Sequence, residues 1–426
     1  MSLLLILLFI SMIIGVPIFF SMGIASLTHT IFNDVSIISL FQQMIRGVDS
    51  FTIVSVPLFI LSANIMNESG ITDRIFKFAN CLVGHIRGGL AHANVLASVI
   101  FAGMSGSAIA DAGGLGAIEI KAMRDNGFSP GFSAAITAAS SIIGPIIPPS
   151  IPLVLYAASG NVSVGRLFLA GFLPGILLAF IQMVIIYSIS VKRKYPSCER
   201  ATIKQIRISF QESFWALLSP VILLGGIFSG VFTPTEAAAI SVVYSLIVAK
   251  LVYKDFDMKR LYQVLNESLQ STAIIGMLIA FSFGLGYLLT LSQIPQQAVG
   301  LLTQITTKPI VILLILNVFF LIIGMFMDPS ASILILTPIL MPVIHQVGID
   351  PVHFGIVMVL NLMIGMLTPP VGTCLYAVAR VGKVKIESLI NESLPFFASL
   401  VAVLLLITFF PGLITFLPNL FMGGQG

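Results

Sequence analysis

The stretch IIGPIIPPS at residues 142–150 breaks an apolar run with glycine and proline, and a related stretch, IGMLTPPVG at 364–372, breaks another. Sliding the chain against itself by 221 residues pairs 102–149 with 323–370 without a gap. Eleven of the 48 positions are identical. Six of those matches are Gly or Pro: Gly103/Gly324, Gly127/Gly348, Pro130/Pro351, Gly144/Gly365, Pro148/Pro369 and Pro149/Pro370. Apolar helices match by chance at Leu and Ile, but rarely at residues that dictate the backbone, so the likeness marks an internal repeat. Weak internal symmetry with helices broken by Gly and Pro is the pattern of secondary transporters.

The composition sets the solvent. Of 426 residues, 57% are hydrophobic and 9% charged, whereas a soluble domain carries about 25% charged residues. Such a chain belongs in a bilayer, where a spanning helix needs about 20 apolar residues. Apolar runs at 3–32, 51–67, 88–120, 130–159, 167–191, 214–230, 237–253, 271–291, 310–341, 351–379 and 395–417 leave no room for an ATPase, cofactor-binding or nucleic-acid module. The first run lacks a basic leader and a small-residue cleavage site and reads as a retained first span. Cys81, Cys198 and Cys374 follow no ligand or disulfide spacing. His85 and His92 read as packing residues on one helix face, and Tyr187, Tyr195, Trp215 and Tyr253 as an inner-face aromatic belt.

Cytoplasmic loops collect Lys and Arg, and residues 192–207 carry six of them. Placing that loop inside forces 214–230 outward and 237–253 inward. Lys250, Lys254, Lys259 and Arg260 then also fall inside. Arg74, Lys77 and Arg87 share a side with Lys121 and Arg124 only if 88–120 enters and leaves on one face. The completed pass puts 18 of the 21 basic residues inside and leaves Arg46, Arg166 and Lys308 outside. Equivalent loops land on opposite faces, so the expected fold is an all-α polytopic membrane protein of two inverted repeats. Residues 1–213 form the first, with a re-entrant hairpin at 88–120 and a broken helix at 130–159. Residues 214–230 connect it to the second, 231–426, with its hairpin at 310–341 and broken helix at 351–379. The N-terminus is expected inside and the C-terminus outside.

Broken backbone at membrane depth must be satisfied by protein, ions or water. Proline removes an amide donor and frees a carbonyl upstream, and carbonyls and hydroxyls are hard oxygen ligands of the kind that hold Na⁺ in broken-helix transporters. The hairpin tips GMSGSAIAD (103–111) and GMFMDPSAS (324–332) bring small hydroxyl residues and one carboxylate each. Two related Na⁺ sites are expected. One uses Ser105, Ser107 and the backbone around Gly144 and Ile147. The other uses Asp328, Ser330, Thr368 and the backbone around Gly372. The paired prolines Pro148, Pro149, Pro369 and Pro370 are expected to line the substrate cavity. Asp111 reads more readily as a cap on the second hairpin arm, and Glu236 as a helix cap with Thr233. No GxxxxGK[ST], HExxH or GxSxG motif occurs.

The runs VPLFILSANIMNESGITDRI (56–75), LVGHIRGGLAHANVLASVIFAGMSGSAIAD (82–111), IIPPSIPLVLYA (146–157), GVFTPTEAAA (230–239), FMDPSASILILTPILMPV (326–343) and LTPPVG (367–372) together resemble the large membrane subunit of TRAP transporters, the tripartite ATP-independent periplasmic systems. The resemblance covers nearly the whole chain. It implies a bacterial inner-membrane permease that couples Na⁺ to import of a small organic acid, such as sialic acid, a C4-dicarboxylate or a keto acid. It also implies a periplasmic substrate-binding protein and a small membrane subunit, expected here as a separate chain. The mechanism implied is an elevator in which 88–159 and 310–379 move against the rest. The anion would be met by helix-terminus dipoles, hydroxyls, Arg380 or Arg87. Two other readings are a self-sufficient ion-coupled dicarboxylate transporter or antiporter, and an intramembrane aspartyl enzyme built on Asp111 and Asp328. The latter lacks the GxGD context of such enzymes.

Overall fold

The computed structural model describes residues 2–254 and 256–423. Among these every regular element is a helix, in chain order α1 (Ser2–Ile13), α2 (Ile18–Phe32), α3 (Ile37–Val48), α4 (Phe51–Glu68), α5 (Ile71–Val83), α6 (Gly89–Ser105), α7 (Ala108–Asp125), α8 (Pro130–Ser141), α9 (Ile151–Gly160) and α10 (Val164–Arg193). There follow α11 (Ile203–Phe228), α12 (Pro234–Ile247, extended by a π turn), α13 (Met258–Leu291), α14 (Ile294–Ile305), α15 (Pro309–Phe326), α16 (Pro329–Gln346), α17 (Pro351–Gly365), α18 (Thr373–Gly382), α19 (Ile386–Phe409) and α20 (Gly412–Met422). Eight helices among the described residues are long and apolar enough to cross a membrane.

Helix boundaries keep the 221-residue spacing. The ends of α6 and α15, both ends of α7 and α16, and the starts of α8 and α17 are each separated by 221 residues. The prolyl bonds Pro148–Pro149 and Pro369–Pro370 are both cis. Local chemistry sets these boundaries. Pro opens α8, α15, α16 and α17 at N1, where its missing N–H costs nothing, and Ser107, Ser129, Asp328 and Asp350 cap the helices that follow them. Thr233 and Glu236 close a capping box on α12, as its sequence suggests.

The centre of the molecule is the pair of broken helices. Every residue of α8 after Pro130 is buried, as is every residue of α17 after Pro351, the pattern of helices surrounded by protein on all sides. Hairpin arms α6 and α7 pack on each other and on α8. In the second half α15 lies chiefly along α17, and α16 lies against α9, α13 and α14. Large apolar side chains such as Ile13, Phe32, Ile38 and Phe180 face outward, which suits a lipid surround.

Several expectations are corrected. The run 3–32 is not one span. Gly15 in the left-handed region (φ +91°) and Pro17 split it into α1 and α2, which pack side by side. The segments read as polar breaks before 51 and after 291 hold α3 and α14, because half-buried helices with one polar face escape a search for apolar runs. Helix α11 starts well before residue 214, fixed by a capping box of Thr202 and Gln205 inside the basic segment. His85 lies in the turn between α5 and α6, so it shares no helix face with His92. Tyr195 is buried, stacked on Phe128 and Phe132 with its hydroxyl donating to Ser129 Oγ, and takes no part in an interfacial belt.

Candidate functional site

A cavity of about 100 Å³ lies where the two hairpin tips meet the two helix breaks. Its walls include Gly106–Ile109 of the first tip, Pro145 and Ile151–Pro152 of the first break, Asp328–Ser330 of the second tip, Met363 and Met366 before the second break, and Ile275 of α13. Three helix N-termini open onto it: those of α7, α9 and α16. The unsatisfied N–H groups and partial positive charge of a helix N-terminus favour an anion. Each of these ends is capped by a side chain. Ser107 Oγ accepts from Ala110 N, Ser150 Oγ from Leu153 N, and Asp328 Oδ1 from Ser330 N at 2.8 Å.

The tip and break of the first half are in direct contact. Gly106 has φ +58°, and a Cβ there would collide with the Pro149 carbonyl oxygen. Gly144 backs onto the Ser107 carbonyl, 3.7 Å from where its Cβ would stand. Only glycine fits the first position, because it needs both the left-handed region and the close approach. In the second half Gly324 and Gly365 play this part on each other: a Cβ on Gly365 would collide with the Gly324 backbone, and one on Gly324 would stand tightly, 3.0 Å from Leu362 O.

The expected site residues are thus partly brought together. Ser107, Asp328 and Ser330, assigned from sequence to two separate sites, line one cavity. Ser105 is buried at the end of α6 with its hydroxyl unpartnered. Gly144 and Ile147 are buried beneath the first tip, Ile147 pressed against Gly175 of α10. Pro148 and Pro149 are fully buried and do not line the cavity, where Pro145 and Pro152 stand instead. Pro369 and Pro370 are exposed and also absent from its walls. The asymmetry has a packing cause: α10 presents Gly171 and Gly175 to Ile146 and Ile147, whereas the equivalent positions of α19 are Glu392 and Phe396. Thr368 donates its hydroxyl to Ile364 O at 3.0 Å, and its carbonyl lies near Gly372, away from the cavity. Arg380 is exposed in the last turn of α18 and does not reach the cavity walls.

Asp111 is not a cap. Ser107 holds that position, and Asp111 is 1% exposed with Ser98 and Ser141 beside its carboxylate, neither in a formed hydrogen bond to it. A second buried acid escaped the sequence reading altogether. Glu119 is 1% exposed and accepts at Oε2 from Asn94 Nδ2 at 2.7 Å. Its neighbours Lys121 and Arg124 make that stretch look like a loop edge, and only the packing of α7 on α8 and α18 buries it.

Among the described residues no group of three His, Cys, Asp or Glu side chains could hold a metal ion. The fold is shared with the YdaH transporter of Alcanivorax borkumensis, at a TM-score of 0.64 and 18% identity over 88% of each chain. The sialic acid TRAP transporter large permease protein SiaM of Vibrio cholerae is 45% identical over 96% of both chains. The C4-dicarboxylate permease DctM of Pseudomonas aeruginosa is 42% identical over 94% of both. The 2,3-diketo-L-gulonate permease YiaN of Escherichia coli is 35% identical over 94% of this chain and 95% of its own. The family model for the DctM component of tripartite ATP-independent periplasmic transporters matches residues 5–413. The chain therefore belongs to that family, as the multi-pass, inner-membrane large permease subunit of a TRAP transporter for a small organic acid, a transport protein and not an enzyme.

Proposed function

We propose that this permease couples Na⁺ entry to import of a small carboxylate, sialic acid in preference to a C4-dicarboxylate or keto acid. A periplasmic binding protein delivers the substrate, and a small membrane subunit completes the assembly. The observation that carries the reading is the cavity at the hairpin tips, where three helix N-termini and the Asp328 carboxylate converge. The N-termini suit a substrate carboxylate. Asp328, the Ser107 and Ser330 hydroxyls and the carbonyls freed around Gly144 are hard oxygens that suit Na⁺. Opposite charges in one water-poor space strengthen each other's binding, which is how the ion gradient would be coupled to the acid. Preference for sialic acid rests on the greater likeness to the Vibrio cholerae permease.

At about 100 Å³ the cavity takes a carboxylate head but not a whole sugar acid, since ligand pockets run from about 300 Å³ upward. The tips must part from α13 to admit one. This supports an elevator in which 88–159 and 310–379 form the moving body of two inverted repeats. The basic loops, 192–207 among them, face the cytoplasm, and the C-terminus faces the periplasm. The test is uptake into proteoliposomes carrying the permease and small subunit, with candidate binding proteins outside. Sialate uptake that needs both Na⁺ and the binding protein is expected. Uptake unchanged when choline replaces Na⁺ would sink the coupling, and uptake without any binding protein would instead favour a self-sufficient transporter.

A further inference from the structure

We infer that Glu119 is a proton-binding site, occupied at neutral pH and separate from the cavity at the hairpin tips. Its carboxyl sits between α7, α6 and α8 at the end of a closed chain of hydrogen bonds. Asn94 Nδ2 donates to Glu119 Oε2 and to Thr137 Oγ1, both at 2.7 Å. Ser140 Oγ donates to Asn94 Oδ1 at 2.7 Å, and Thr137 Oγ1 donates to Ser133 O at 3.0 Å. Glu119 Oε1 is buried and has no partner.

Two facts separate a proton from a metal cation. The one group bonded to the Glu119 carboxyl is an N–H donor, Asn94 Nδ2, and the Asn94, Thr137 and Ser140 oxygens are already engaged in the network's own hydrogen bonds. Among the described residues no group of three His, Cys, Asp or Glu side chains gathers around it, so a metal cation would find one carboxylate without the further side-chain ligands a site needs. Nor does a basic side chain neutralise it. The helices packed on α7 are α5, α6, α8 and α18. Helix α8 has no titratable residue, α6 offers His92 with both ring nitrogens unpartnered, and α18 offers buried Cys374 and exposed Tyr376 and Arg380. On α5, Asp73 and Lys77 are exposed, Cys81 is half-buried, and Arg74 donates to Ser69 O and Gly70 O. On α7 itself, Lys121 and Asp125 are exposed and Arg124 donates to Gly382 O. A carboxylate left bare in such surroundings costs far more than one carrying its proton. Among the described residues Asp111 is the only other buried acid. It stands in the first turn of α7, where the helix dipole favours the charged form, so of the two acids Glu119 takes the proton.

The test uses the full chain in lipid nanodiscs with glutamate ¹³C-labelled at the side-chain carboxyl, read by infrared spectroscopy. Glu119 is the one buried glutamate among the described residues, so a label-shifted stretch of a protonated carboxyl at neutral pD reports on it alone. That band is expected in the wild type and lost in Glu119→Gln. A wild-type spectrum without the band at neutral pD would mean an ionised Glu119 and overturn the inference, as would a band that survives Glu119→Gln. The wild-type spectrum decides the matter even where the variant does not fold, and neither reading depends on which substrate the permease carries.

Discussion

Asp328 is the residue in which the fold and the proposed ion site are most closely joined. Its carboxylate caps α16 through Ser330 N and Ala331 N and at the same time forms part of the cavity wall. Asn caps helices about as well as Asp, so Asp328→Asn separates the two roles: the fold is kept and the charge removed. Thermal stability within about 1 kcal/mol of the wild type is expected, together with loss of Na⁺-dependent uptake. Full uptake in this variant would reduce Asp328 to a cap. Ser107 and Thr368 part company in the structure. Ser107→Ala removes both a cap worth about 1 kcal/mol and a cavity hydroxyl, and should raise the Na⁺ concentration needed for half-maximal uptake. Thr368→Ala removes a hydroxyl bonded back to its own helix, a contact of little net worth, and should leave that concentration where it was.

At the scale of elements, the tip-to-break contacts are made by glycines with no room to grow. Gly365→Ala would push a methyl into the Gly324 backbone and drive α15 off α17. Uptake should fall tenfold or more, on the order of the 1–3 kcal/mol that overpacking costs, with correspondingly lower thermal stability. Gly113→Ala is the control, since nothing lies within 4 Å of its Cβ and Ala is favoured over Gly in a helix by about 1 kcal/mol. Equal effects of the two substitutions would show the contact to be slack. Gly324 and Gly365 were legible in sequence because the repeat matches them to Gly103 and Gly144, whereas Gly106, paired with Met327, was not. The same alignment carries over to α7 and α16, whose ends stand 221 residues apart, although the sequence reading bounded only the hairpins, at 88–120 and 310–341. It failed where the two halves differ. Gly171 and Gly175 of α10 let that helix close on Ile146 and Ile147 just before break 148–149, whereas α19 carries Glu392 and Phe396 at the equivalent positions, and the matched prolines differ in exposure. Glu119 has no double either, since Leu340 stands where it would repeat. Comparing the halves could not reveal it.

For the whole molecule, net hydropathy is easily read and relative motion is not. Amphipathic α3 packs along α13, and α14 along α16, so neither helix needs a continuous apolar run and neither announced itself. Their partner α13 runs the depth of the protein and touches α2, α3 and α4 on one side and α16 on the other. That places α13 at the seam between the proposed static and moving bodies. The seam can be probed where Gly286 of α13 faces Pro338 of α16, the Gly286 Cβ position 3.7 Å from Pro338 Cγ. A disulfide needs Cβ atoms about 3.5–4.5 Å apart; Pro338 Cβ stands one bond beyond its Cγ and more than 4 Å from the Gly286 Cβ position, so Gly286→Cys with Pro338→Cys can bridge after a small shift of either helix. If α16 travels past α13, oxidation should abolish uptake in the double variant and dithiothreitol should restore it, while each single variant stays insensitive to oxidant. Mass spectrometry of the peptides confirms that the bridge has formed. Full uptake by the bridged protein would mean that α13 and α16 keep their register through the cycle, and the moving body would have to be redrawn to include both.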